Sequence, residues 1–219
     1  MTGYYPIMLK LERQRIAVIG GGSIAARKVN GLLAGGASSI QVIAPHLCEE
    51  LQRLLESGRI GWVAKQAELD TLRDYTLVFA ATSDVQLNAR ISNEAMKYDI
   101  LVCNVSDGQQ GSFLTPAVAR HGELITAVSS AGVSPSLARH MKQELESNFL
   151  PKYEKALRLM KQLREKVLQS KLTEQQRQRL LRLAANEASD VEEAQVEQWA
   201  AALLDRIVLD EGEDTEDGS

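Results

Sequence analysis

Gly20-Gly21-Gly22-Ser23-Ile24-Ala25 has the spacing G-x-G-x-x-G/A. Residue types in this order suit a pyrophosphate: Gly20 allows a tight turn, Gly22 lets backbone approach the phosphates, and small Ala25 lets a helix pack closely on a strand. Ser23 and Ile24 then open a helix whose free N–H groups and partial positive charge face an anion. A glycine-rich turn without ligand is the bland alternative, but the context is the one the motif requires, between a strand and a helix. A second group of candidates follows a later apolar run. Asp107 lies just past ILVCNV, where a carboxylate at the ligand end of a parallel sheet can accept a proton as hydride leaves for a nicotinamide; the alternative is a turn former, since Asp107-Gly108 is a good turn pair. Asn104 either bonds the cofactor, fixes the Asp107 loop, or is a satisfied structural amide. Ser129-Ser130-Ala131-Gly132 precedes a helix start at Ser134-Pro135, a natural carboxylate site or plain turn chemistry.

Other reactive side chains carry less. His46, His121 and His140 show no metal-ligand spacing, and no Cys–His cluster exists, so no structural metal is expected. Cys48 and Cys103 form no C-x-x-C pair and no disulfide framework. Cys103 falls in an apolar run and is expected to be buried and inert.

The elements that must position these residues are legible from periodicity. RIAVIG (15–20), SIQVIAP (39–45), RIGWVAK (59–65), TLVFAAT (76–82) and ILVCNVSD (100–107) read as strands. Between them lie helical stretches: IAARKVNGLLAGG, with Ile24, Val29, Leu32 and Leu33 on one broad face; LCEELQRLLESG; and VQLNARISNEAMKYD. Strand and helix in alternation predict an α/β Rossmann-type parallel sheet covered on both faces, over residues 1–112. The second strand ends Ile43-Ala44-Pro45-His46, without the acid that usually holds the adenosine ribose and without an Arg for a 2′-phosphate. The ribose is expected to be held by backbone near Ala44 and Pro45, and the cofactor is read as NAD rather than NADP.

Beyond residue 112 the character changes. ELITAVSS (123–130) is one more strand candidate within a central segment, 113–148. Residues 149–209 are expected to be all-helical. Pro151, Thr173-x-x-Gln176 and Ser189-x-x-Glu192 mark helix starts, giving about four helices in the C-terminal half. Ten Lys or Arg lie between Lys152 and Arg182 against Glu154, Glu165 and Glu174. Five of them recur every third residue, a row that spirals around a helix, so it reads as a solvated face rather than a nucleic-acid surface. Tyr153, Leu157, Met160 and Val167 supply the apolar face opposite. The last ten residues, DEGEDTEDGS, carry six acids, and without them the formal charge changes from −4 to +2. They read as a disordered acidic tail, 210–219. No apolar window spans a membrane and no export signal opens the chain, so a cytoplasmic protein is expected.

Several stretches together resemble one family. YYPIMLKLERQRIAVIGGGSIAARKV, LVFAATSDVQLNARI and CNVSDGQQGSFLTPAVARHGELITAVSSAGVSPSLARHMKQELE are similar in register to the NAD-dependent precorrin-2 dehydrogenases, the N-terminal module of siroheme synthases, from about residue 5 to 150. The resemblance implies removal of a hydride and a proton from precorrin-2, giving sirohydrochlorin and NADH, with ferrous iron insertion in some members. It implies a homodimer formed through the central segment, with substrate between that region and the nicotinamide. It implies that Asp107 is the principal catalytic residue and Ser130 an active-site serine, that Thr82 in the second stretch borders the cofactor, and that the eight carboxylates of the substrate need sites such as the Ser129–Ser134 turn. A dehydrogenase for another small substrate, or a non-enzymatic NAD-sensing module, would share the Rossmann half. Neither has reason to carry the NVSD, SF, VSS and SP series.

Overall fold

The computed structural model of the chain describes residues 3–192 and 195–213, with side chains through residue 207. It divides into two units, residues 1–115 and 116–219.

The first unit is built on a five-stranded parallel sheet. Its strands are β1 (Ile16–Ile19), β2 (Ile40–Ile43), β3 (Gly61–Val63), β4 (Leu77–Ala80) and β5 (Leu101–Asn104), in the order β3-β2-β1-β4-β5. All four residues of β1 and of β4 are buried, as central strands covered on both faces require. Their side chains alternate between two cores. Ile16, Val18, Leu77 and Phe79 pack with α1 (Ser23–Ala34) and α2 (Glu49–Glu56). Ala17, Ile19, Val78 and Ala80 pack with α3 (Val85–Lys97) and the short helical turn Leu69–Asp74. The expected Rossmann-type sheet is therefore the observed one. One side chain departs from its predicted face: Ile24 is exposed, and α1 buries Ala25, Ala26, Val29 and Leu32 instead. Small residues bring the first turn of α1 against the sheet, which leaves Ile24 outside at the mouth of the glycine loop.

The second unit opens with a hairpin, β6 (Ala117–His121) and β7 (Leu124–Val128), antiparallel with His121 opposite Leu124. Its two-residue loop begins with Gly122 at φ +57°, the left-handed position of a type II′ turn. Only β7 is readable in the sequence, because Ala-Val-Ala-Arg-His has too little apolar contrast to mark β6. Four helices follow: α4 (Pro135–Glu144), α5 (Leu150–Gln169), α6 (Glu174–Glu187) and α7 (Val196–Glu213). Ser134 caps α4, its hydroxyl accepting the Leu137 N–H. Pro151 does not end the helical run. A wide π turn at Leu145–Phe149 joins α4 to α5 directly ahead of it, which suits a residue lacking an N–H and clashing with the carbonyl four residues back. Thr173 and Gln176 form both halves of the expected capping box. Ser189 and Glu192 do not start a helix. Val191 turns inward there and Asp190 is held by Lys152 at 2.8 Å, and α7 begins only at Val196.

Leu163 and Val167, Leu180 and Ala184, and Ala200, Leu203 and Ile207 make the core between α5, α6 and α7. The buried face of α5 is Ala156, Leu159, Leu163 and Val167, so Tyr153 lies outside the face predicted for it. Three basic residues of α5 are ion-paired at the surface: Lys152 with Asp190, Arg158 with Glu154, and Lys161 with Glu123. The first four residues of the expected acidic tail continue α7 as far as Glu213, and 214–219 lie outside the described residues.

Candidate active site

The glycine loop joins β1 to α1, and each of its three glycines has a different reason to lack a Cβ. At Gly20, φ is +129° and a Cβ would lie 2.2 Å from the carbonyl oxygen of Ala81, just past β4. At Gly21 a Cβ would meet the His46 carbonyl at 1.8 Å, while the Gly21 carbonyl accepts the Cys48 N–H at 2.7 Å. Gly21, read as the free position of the motif, thus clamps the loop to the start of α2. Gly22 is the opposite case. Its φ of −91° suits any residue, and among the described residues nothing beyond its chain neighbours lies within 4 Å of where its Cβ would be. The space beside Gly22 is open, and no side chain caps α1. An open cradle at an uncapped helix N-terminus fits a dinucleotide pyrophosphate. Ser23 and Ile24 are exposed beside it, and Ala25 is fully buried against β1.

At the end of β2 the backbone is largely committed. The Ala44 N–H donates to Val63 at 3.2 Å and the Ala44 carbonyl accepts the Trp62 indole N–H at 2.9 Å. Pro45 has no N–H to offer. The ribose contact expected from Ala44 and Pro45 is reduced to carbonyl lone pairs.

The ends of β4 and β5 are tied by a buried amide that the sequence does not reveal. Asn88 on α3 has 0% exposure. Its Oδ1 accepts from the Thr82 N–H at 3.1 Å and the Thr82 hydroxyl at 2.8 Å; its Nδ2 donates to the Thr82 carbonyl at 3.0 Å and to Ser106 Oγ at 2.6 Å. Thr82, a cofactor candidate, is thus already engaged in bracing this loop. Asp84 beside it caps α3, accepting from Gln86 and Leu87. The signal available was an Asn one turn into a helix, which reads as surface until its burial is known.

Asn104 ends β5 with 3% exposure, and its Oδ1 accepts the Ser106 and Asp107 N–H groups at 2.9 and 3.1 Å. Of the two functional roles open to it, fixing the Asp107 loop is the one its contacts make. Its Nδ2 is enclosed and has no partner among the described residues. Asp107 is half-buried, caps the short turn Gly108–Gln110, and accepts the Gln109 N–H through Oδ1 at 2.9 Å. Oδ1 is held and Asp107 stays open enough to meet a ligand.

Cys103, one residue earlier, is buried, and burial pushes its thiol up from the ordinary range, with the Lys28 ammonium acting in the opposite sense. Lys28 itself is lowered by burial, donates to the Thr115 hydroxyl, and stands 6.0 Å from the Phe79 ring centre. A thiol reagent on the native protein is expected to label half-buried Cys48 and to reach Cys103 only on unfolding; equal fast labelling of both would contradict this burial.

In the second unit, the Ser130 hydroxyl accepts the Ser134 N–H at 2.9 Å and Ser129 Oγ accepts the Ala131 N–H at 3.1 Å. Ala131 and Gly132 are both left-handed, at φ +52° and +87°, and turn the chain into α4. The Ser130 O–H remains available to donate. His121 pairs with Glu154 at 2.7 Å and His140 lies 3.6 Å from Glu144. Among the described residues no three His, Cys, Asp or Glu side chains are grouped to hold a metal ion, and no helix is long and apolar enough to cross a membrane.

A family model described as "Putative NAD(P)-binding" matches residues 7–117. The chain belongs to this NAD(P)-binding family. The match takes in the glycine loop, the Asn88 brace and the Asp107 loop. Among curated relatives, the siroheme synthase of Photorhabdus laumondii is 40% identical over 144 residues, 66% of this chain and 30% of that protein. That of Mannheimia succiniciproducens is 39% identical over 150 residues, 68% of this chain and 31% of that protein. The match therefore spans less than a third of the length of these relatives. The solved structure titled "SirC, precorrin-2 dehydrogenase" superposes with a TM-score of 0.77 at 26% identity, covering 93% of this chain and 98% of that one.

Proposed function

We propose that this member of the NAD(P)-binding family is an NAD-dependent precorrin-2 dehydrogenase, producing sirohydrochlorin. The observation that carries the reading is the match to a precorrin-2 dehydrogenase over nearly the whole of both chains, including the hairpin and the helical unit. A likeness confined to the Rossmann sheet would leave the substrate open. Bound NAD supplies the hydride acceptor. The α1 N-terminus and the space at Gly22 hold its pyrophosphate. Asp107 takes the proton that leaves the tetrapyrrole framework as the hydride departs, so that substrate, NADH and proton balance. Asn104 positions that carboxylate through the loop N–H groups. The Ser130 hydroxyl and the α4 N-terminus bind a substrate carboxylate. Incubation with precorrin-2 and NAD without oxygen tests this. NADH formation supports it, whereas turnover only with other substrates, or NAD binding without turnover, would replace it with another dehydrogenase or an NAD-sensing module. Two free cysteines accord with a reducing cytoplasm.

We also propose that the chain works as a homodimer formed through its second unit. Val133 just ahead of α4, Leu137 and Met141 on α4, Phe149 in the π turn and Tyr153 on α5 are all exposed and apolar. Exposed large apolar side chains gathered along one segment are what a protein interface covers. Light scattering is expected to give about twice the 24.1 kDa chain mass, and Leu137→Glu with Met141→Glu is expected to give the monomer. A wild-type monomer at micromolar concentration would overturn the dimer.

A further inference from the structure

The indole of Trp62 stands where the adenosine end of a dinucleotide is read in this fold. β3 follows β2 in parallel as far as Ile43 opposite Val63 and then leaves the sheet, the Lys65 N–H turning back to Val63 at 2.9 Å. Continued pairing would have brought that N–H to the Ala44 carbonyl. The Trp62 Nε1–H takes its place at 2.9 Å, satisfying an acceptor that the sheet abandons. The same bond draws a large aromatic ring to the carboxyl end of β2. The ring is not covered: Trp62 remains 39% exposed on an edge strand. In open α/β sheets the adenosine ribose lies at this strand end, usually on an Asp or Glu. Here the chain runs Ile43-Ala44-Pro45-His46, without an acid, and the Ala44 amide is spent on the sheet. Affinity for adenosine then needs a source other than a ribose carboxylate. An aromatic face is such a source, because stacking on a base needs no hydrogen-bond partner.

We propose that Trp62 is the adenine platform of this site, a specificity-determining residue that holds the adenosine moiety by stacking where the ribose-binding acid is missing. This rests on the NAD reading above, and the test separates the two. The chain has two tryptophans. Trp199 belongs to the second unit and donates to Glu187 at 3.1 Å, so Trp199→Phe leaves Trp62 as the sole reporter. Adding NAD or ADP-ribose is expected to quench Trp62 fluorescence in that variant and in the wild type, while nicotinamide mononucleotide, which has no adenine, does not. Calorimetry is expected to show NAD affinity about 5- to 100-fold weaker in Trp62→Leu, with a smaller loss in Trp62→Phe. If NAD binds by calorimetry but neither quenches Trp62 nor loses affinity in Trp62→Leu, the platform is overturned and the NAD reading stands. If NAD gives no binding heat in the wild type, the NAD reading fails and the platform falls with it. The quenching arm uses native Trp62, so it decides the question even if Trp62→Leu does not fold.

Discussion

Gly22→Val is expected to keep the fold and lose NAD binding by about 10²-fold or more, the worth of two or so charge-assisted hydrogen bonds from backbone to pyrophosphate. The structure separates the two effects cleanly. The backbone at Gly22, φ −91° and ψ −173°, is extended and suits a β-branched residue, and among the described residues nothing beyond its chain neighbours lies within 4 Å of the new Cβ. Only a ligand occupying that space meets the isopropyl group. Gly21→Ala makes the contrast, because its Cβ would lie 1.8 Å from the His46 carbonyl and must disturb the loop itself. Calorimetric titration with melting curves on both variants checks this. Wild-type NAD affinity in folded Gly22→Val would show that the space is not the pyrophosphate cradle.

Replacing Asp107 by Asn is expected to lower kcat by roughly 10²–10⁴-fold while leaving NAD affinity near the wild-type value. Asp107 Oδ1 accepts the Gln109 N–H that caps the turn Gly108–Gln110. An Asn carbonyl keeps that bond but cannot take a proton, so Asp107→Asn isolates base chemistry from loop structure. Asp107→Ala loses both, and its deficit should be at least as large. Asp107 is the one carboxylate between β5 and Pro116, so no neighbour in that loop can take over. Single-turnover rates with NAD saturating make the comparison. Turnover of Asp107→Asn close to wild type would remove the base role and leave Asp107 as a turn former.

The centre of the sheet was legible because β1 and β4 are uninterrupted apolar runs, the trace that strands buried on both faces leave. The tight turn at Gly20 and the open space at Gly22 were legible because fixed spacing carries them. What escaped depends on contacts distant in sequence. Gly21 matters only because the His46 carbonyl comes back against it, and Asn88 only because α3 carries it into the gap between Thr82 and Ser106. The Ala44 carbonyl could not be known as engaged until Trp62 was seen folding over it. Ser189-x-x-Glu192 has capping-box spacing, yet residues 189–192 make a turn that buries Val191 instead of a helix start. On α5 the apolar face was placed at Tyr153, Leu157, Met160 and Val167, whereas the buried residues are Leu150, Ala156, Leu159, Leu163 and Val167, of which Leu163 and Val167 pack against α6 and α7. Local spacing proposes a face, and the partner helices decide it.

The most direct test is anaerobic turnover of precorrin-2 with NAD, following NADH absorbance and the tetrapyrrole spectrum in the same cuvette. One NADH is expected to form per sirohydrochlorin, with neither product appearing when NAD is withheld. Sirohydrochlorin appearing at the same rate without NAD, or NAD bound while precorrin-2 stays unchanged, would contradict it.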